Sequence, residues 1–157
     1  MFANSGFEIR QDDLSGVQTR ALLALHLAGM NAHSPPGSVF ALDLSGLIRP
    51  DVTVWTAWRA DRVAAIGALR RLDARAAEVK SMRTHPDFLR QGAAAALLEH
   101  IIAAARVLGL RRLSLETGSG SAFDPAIALY RRRGFTDGDP FGDYTQSAFN
   151  QFLHLDL

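Results

Sequence analysis

Residues 76–117 constrain the fold more than any other stretch of the chain. AAEVKSMRT (76–84) reads as a strand, and His85-Pro86-Asp87 stops it. An amphipathic helix then runs from the Gly92 turn to Leu108 with Gly109 as its stop, and RLSLET (112–117) is a strand again. Strands joined through a helix pair in parallel, and the helix covers one face of the sheet. Other elements must cover the second face.

The flanking sequence supplies them. FEIR (7–10) alternates like a short strand, and Ser15 is the predicted cap of a helix through VQTRALLALHLAGM that ends before Pro35 and Pro36. Residues 38–48 predict a short second helix before Pro50. Residues 52–59 and 62–71 form a hairpin turning at Ala60 and Asp61. After the GSGSAF loop (118–123), Asp124-Pro125 opens a helix that Gly134 closes; Phe135 onward and NQFLHLDL are the last two strands. The expectation is a single α/β (α+β) domain over residues 1–157, with helices on both faces of one sheet.

Composition narrows the function. The chain has 157 residues, 48% of them hydrophobic, which suits one core. Its 17 basic residues are balanced by 16 acidic ones, so no field for nucleic acid is expected. The absence of cysteine excludes disulfides and thiolate nucleophiles. The apolar run 93–110 is interrupted by Glu99, His100 and Arg106, so no membrane span is expected. The opening MFANSGFEIRQDD is acidic where an export signal would be apolar, which points to the cytoplasm. His26, His33, His85, His100 and His154 lack metal-ligand spacing, and no Gly-x-Ser-x-Gly elbow is present.

Three segments carry candidate chemistry. In the first, the helix after Arg90-Gln91-Gly92 opens without a capping side chain, and Ala93 to Ala96 leave its first N–H groups unobstructed. Either the small residues serve close packing, or the amides form an anion cradle. In the second, ALYRRRGF (128–135), the arginines complement a helix C-terminus, and Tyr130 is either a core ring or a proton donor. In the third, strand period places Glu78, Lys80, Met82 and Thr84 on one face and Val79, Ser81 and Arg83 on the other. Glu78 and Lys80 are either an ion pair at the wet end of the sheet or the lining of a cleft.

In their order, the strand, the Arg-Gln-Gly-Ala-Ala turn, the helix, the strand and the later Ala-Leu-Tyr-x-x-x-Gly-Phe resemble the GNAT superfamily of N-acetyltransferases, most strongly over residues 76–135. The resemblance implies a mixed, mostly antiparallel sheet of six or seven strands, splayed between 76–84 and 112–117 to hold acetyl-CoA. It implies that the pyrophosphate sits on the amides of Leu89, Arg90, Gln91, Gly92, Ala93 and Ala94, and the pantetheine along Met82, Arg83 and Thr84. It further implies that Tyr130 protonates the departing thiolate and that Glu78 accepts the proton of an acceptor amine. Leu89 stands where the family often has Arg or Gln, and Phe123 where it often has Asn. The segment DPFGDY (139–144) is similar to that of a bacterial subgroup, with Phe141 and Tyr144, and also Trp55 and Trp58, as candidates for the acceptor pocket. The implied activity is direct acetyl transfer to a primary amine of a small molecule or peptide, without metal, nucleic acid or membrane, by a chain that is monomeric or a homodimer. The other reading is a non-catalytic acyl-CoA-binding or sensor domain of the same fold.

Overall fold

The structure is a computed structural model and describes residues 6–157. The MFANS segment, part of the stretch read above for export, lies outside the described residues. Among the described residues seven strands form one sheet: β1 (Glu8–Gln11), β2 (Val52–Arg59), β3 (Arg62–Arg71), β4 (Ala76–Thr84), β5 (Arg112–Thr117), β6 (Thr136–Asp137) and β7 (Gln151–Asp156), in the order β1-β2-β3-β4-β5-β7-β6. β4 and β5 pair in parallel, as the helical crossover between them requires, and the other described pairs are antiparallel. The described residues form the α-helices α1 (Val17–His33), α2 (Leu44–Leu47), α3 (Ala93–Val107) and α4 (Asp124–Arg132). Among the described residues no helix is long and apolar enough to cross a membrane.

Two apolar clusters lie on the two faces of the sheet. α3 packs Leu97, Leu98, Ile101 and Ala105 against Leu69, Val79, Leu113 and Leu115, and Tyr130 and Phe135 belong to the same cluster. On the other face Leu22 and Leu23 of α1 and Leu47 of α2 meet Val54, Val63, Ile66 and Ala68. Gly67 allows the close approach on the α3 side, because a Cβ there would lie 3.1 Å from both Leu97 and Ile101 and against the Met82 sulfur.

Several local expectations change. Ser15 does not cap α1: its hydroxyl bonds Asp13 at 2.6 Å, and Gly16 is the N-cap with no side-chain bond. The helix predicted over 38–48 is only Leu44–Leu47, capped by Asp43, which accepts from the Gly46 amide at 2.8 Å. The segment before it is irregular, which frees the Phe40 carbonyl for a side-chain bond described below. α4 does open at Asp124-Pro125 as expected, with Phe123 as its N-cap and Asp124 inside the first turn. Two of the three arginines at its end are engaged in ion pairs, Arg131 with Asp137 at 3.0 Å and Arg133 with Glu99 at 2.9 Å.

The most consequential change is in β4. From β3, Ile66 lies opposite Arg83 but Ala68 opposite Lys80, so β4 carries one extra residue there. Ser81 absorbs it with a left-handed φ of 59°. The strict alternation expected for 78–84 therefore fails beyond the bulge. Met82 and Thr84 join the face of Val79, where Met82 packs on the α3 cluster. Arg83 moves to the face of Glu78 and Lys80, where it donates to His26 of α1 at 3.0 Å.

Candidate active site

β4 and β5 pair only from Ala76 opposite Arg112 to Glu78 opposite Ser114, and then part. β4 is held on its other side by β3 as far as Thr84, and β5 by β7 as far as Thr117. The upper halves of two central strands thus face an opening, and the candidate groups collect around it.

At the far end of β4, the loop 85–92 presents the start of α3. Arg90 and Gly92 have left-handed φ values of 61° and 88°, and the Gly92 N-cap makes no side-chain bond. A Cβ at Gly92 would meet nothing within 4 Å. Leu89, Arg90, Gln91 and Gly92 are exposed, Ala93 is buried and Ala94 is half-buried. The loop is braced from the β2–β3 hairpin: Arg59 donates to Gln91, and Arg62 pairs with Asp87 at 2.7 Å. Uncapped amides on a fixed turn suit a phosphate, with the helix dipole adding attraction. A non-glycine residue held at positive φ stores strain, which is common at ligand clamps.

On the α1 side of the sheet, near the parting, lies a polar cluster. Glu78 is 1% exposed and Lys80 9%. They are paired at 3.3 Å, but in the interior, not at a wet end of the sheet. Tyr144 donates to the same Glu78 oxygen at 2.5 Å. Lys80 donates to the Tyr144 hydroxyl at 2.8 Å and to the Phe40 carbonyl at 3.3 Å. Burial, with Glu78 beside it, holds the Tyr144 phenol well above its ordinary range, so the hydroxyl keeps its proton. A buried ion pair costs desolvation, and this one is offset by further hydrogen bonds on both partners.

Phe141 and Tyr144 come together at 5.1 Å between ring centroids, with Phe40 5.3 Å from Tyr144 and Phe152 5.9 Å from both. Trp55 and Trp58 do not join them. Trp55 is buried against α3, edge-on to His100, and Trp58 packs on the α1 side under Arg10 and donates to Thr56. Tyr130 is 6% exposed in the α3 cluster, tilted on Phe135 at 5.6 Å, and burial raises its phenol far above the usual value. Phe123 stacks edge-on with Phe149 over Gly118, where a Cβ would lie 2.8 Å from the Phe123 ring.

Sequence reading missed Glu116. It follows Ser114 on one face of β5 and is half-buried opposite Phe152. Burial raises its carboxyl pKa to about 7; Glu78 adds to the rise, while Lys80 and the Asn150 side chain oppose it. The signal was available: a carboxylate at strand period in an internal strand, the same sign that singled out Glu78.

The sequence model of the Acetyltransferase (GNAT) family matches residues 19–135. The chain is 45% identical over 151 residues to the uncharacterized N-acetyltransferase YedL of Escherichia coli strain K12, covering 96% of this chain and 95% of that protein. Among solved structures, an acyl-CoA N-acyltransferase assignment from Klebsiella pneumoniae superposes with a TM-score of 0.82 at 25% identity, covering 98% of this chain and 99% of the other. A GNAT family acetyltransferase from Elizabethkingia anophelis, with acetyl-CoA bound, shares the fold with a TM-score of 0.72 at 17% identity, over 97% and 99% of the two chains.

Proposed function

Since the chain belongs to the GNAT family of acetyltransferases, we propose that it transfers the acetyl group of acetyl-CoA to a primary amine of a small molecule or peptide, by direct attack in a ternary complex. The observation that carries this reading is the parting of β4 and β5, with an uncapped helix start at one end and a buried acid, lysine and tyrosine cluster beside it. The amides of Leu89 to Ala94 hold the pyrophosphate, and the free edge of Met82, Arg83 and Thr84 holds the pantetheine arm. Acetyl-CoA supplies the activated acyl group as a thioester.

The amine nitrogen bonds to the carbonyl carbon as the carbon–sulfur bond breaks. Tyr130 gives its proton to the departing thiolate. Glu78 takes the amine's proton. Because Glu78 is 1% exposed, the transfer passes through Tyr144, which gives its own proton to Glu78 while accepting that of the amine. The Tyr144 oxygen has the lone pair to do so, since Lys80 occupies only one. Phe141 and Tyr144 line the acceptor pocket. The reading takes residues 1–157 as one acetyltransferase unit without metal, cytoplasmic, acting alone or as a homodimer.

Thermal-shift titration with acetyl-CoA, CoA and ATP tests it, because a ligand of the folded state raises the transition temperature with its occupancy. Stabilisation by the first two alone, followed by thiol release with amines, is expected. Stabilisation without thiol release for any amine would favour the acyl-CoA-binding or sensor reading. No stabilisation would remove the cradle.

A further inference from the structure

We propose that Glu116 is the docking point for the acceptor's ammonium, and that the acceptor is a monocationic primary amine on an apolar, ring-sized body. The proposal rests on the acetyltransferase reading above. It follows from where the β4–β5 ladder ends. Glu78 lies opposite Ser114, and two residues further along each strand stand Lys80 and Glu116. A continued ladder would make these two direct neighbours. The strands part instead, and Lys80 pairs with Glu78, not with Glu116.

The charges nearest the parting are therefore unequal, since Arg83, on the same face beyond the bulge, is turned to His26 of α1. Two carboxylates, Glu78 and Glu116, share one lysine. The three ammonium protons of Lys80 are directed to Glu78, the Tyr144 hydroxyl and the Phe40 carbonyl, so none is left for an acceptor's carboxylate. The nearby Arg70 is turned to Asp51 at 3.6 Å. Glu116 makes no ion pair among the described residues; the neutral Asn150 amide is its hydrogen-bond partner, and burial raises its pKa although the charge of Lys80 opposes the rise. An arriving ammonium supplies the missing charge, and complementarity of this kind selects partners by sign.

The remaining walls are aromatic. Phe152 stands directly across from Glu116, and Phe141, Tyr144 and the partly exposed Phe40 continue the surface. Rings of this kind suit an apolar body, and an amine next to a carboxylate would bring an anion to a face whose described cations, Lys80, Arg70, Arg83 and Arg112, already have partners. The docked ammonium first gives one proton to water, and the neutral amine's proton then leaves through Tyr144 to Glu78 as the nitrogen attacks; Glu116 holds and orients the amine.

Thiol release with phenethylamine, phenylalanine amide and phenylalanine, all with acetyl-CoA, tests the proposal. The first two are expected to be used, and phenylalanine about 10-fold or more less efficiently in kcat/KM. Glu116→Gln is expected to raise the phenethylamine KM about 10- to 100-fold. Its kcat is expected to stay within about threefold, with stabilisation by acetyl-CoA unchanged, and Glu116→Asp to recover part of the lost affinity. An unchanged KM in Glu116→Gln, equal use of phenylalanine and its amide, or no use of any of the three by a protein that acetyl-CoA stabilises would overturn the proposal. Failure of acetyl-CoA to stabilise the wild-type protein would instead overturn the reading on which it rests.

Discussion

β4 has two very different neighbours. Its ladder with β3 runs from Ala77 to Thr84 and tolerates a bulge without breaking, whereas its ladder with β5 ends at Glu78. The first seam is lined on one side by Ile66 and Ala68 and on the other by Ala65 and Leu69, and it holds the two apolar clusters to the sheet. The second leaves backbone and polar side chains of two central strands beside an opening. Unpaired central strands are costly unless something else satisfies them. The difference places the paired, apolar seam on one side of a single strand and, on the proposed reading, the ligand chemistry on the other.

That separation can be broken at either seam. The largest effect is expected from Gly92→Asp. Asp is among the residues best able to adopt a left-handed backbone, and open space surrounds the site, so the fold should persist. Its carboxylate would repel the pyrophosphate, and loss of stabilisation by acetyl-CoA together with loss of turnover is the expected outcome. Retained stabilisation would show that the α3 start is packing alone. Tyr130→Phe comes next: turnover should fall about 10- to 1000-fold with little change in coenzyme affinity, measured by thiol release and thermal shift. Unchanged turnover would remove Tyr130 from the chemistry.

The paired seam should respond in the opposite way. Ile66→Ala, in the middle of β3 and fully buried, is expected to cost about 2–5 kcal/mol in denaturant unfolding. Activity per folded molecule and stabilisation by acetyl-CoA should not change. A selective loss of coenzyme binding would show that the seams are not separate.

The smallest effect is a pH dependence. Glu116 has its folded-state pKa raised from 4.5 to about 7, so the folded protein binds the proton more tightly than the unfolded chain. Its contribution to stability is present below about 4.5 and is lost as pH rises through about 7. Wild type should thus lose stability relative to Glu116→Gln across that window, as followed by the unfolding midpoint, and parallel profiles would exclude the shift.

Much of this was legible in the chain. The boundaries of β2, β3, β4 and β5 follow from β-rich runs and the turn residues between them, because a strand covered on both faces reads as a continuous apolar run and Gly, Pro and Asp mark where it stops. The uncapped start of α3 was legible for a similar reason, since a missing cap is a local property of Arg90-Gln91-Gly92. The acceptor side was less so. Phe141, Tyr144, Trp55 and Trp58 look equally suitable in sequence, and only the packing brings the first two together and sends the tryptophans elsewhere.

By itself, then, the sequence determined the order of elements, the parallel β4–β5 crossover and the bare helix start, because each depends on residues close in the chain. Tertiary structure alone decided which face each residue beyond Lys80 takes. The Ser81 bulge moves Met82 and Arg83 to opposite sides from those that period two assigns, and a bulge arises from pairing with β3, not from the strand itself. It also decided how the charges match. Glu78, Lys80 and Tyr144 meet from positions 64 and 66 residues apart, and Lys80 pairs with Glu78 and not with Glu116 where the two strands part.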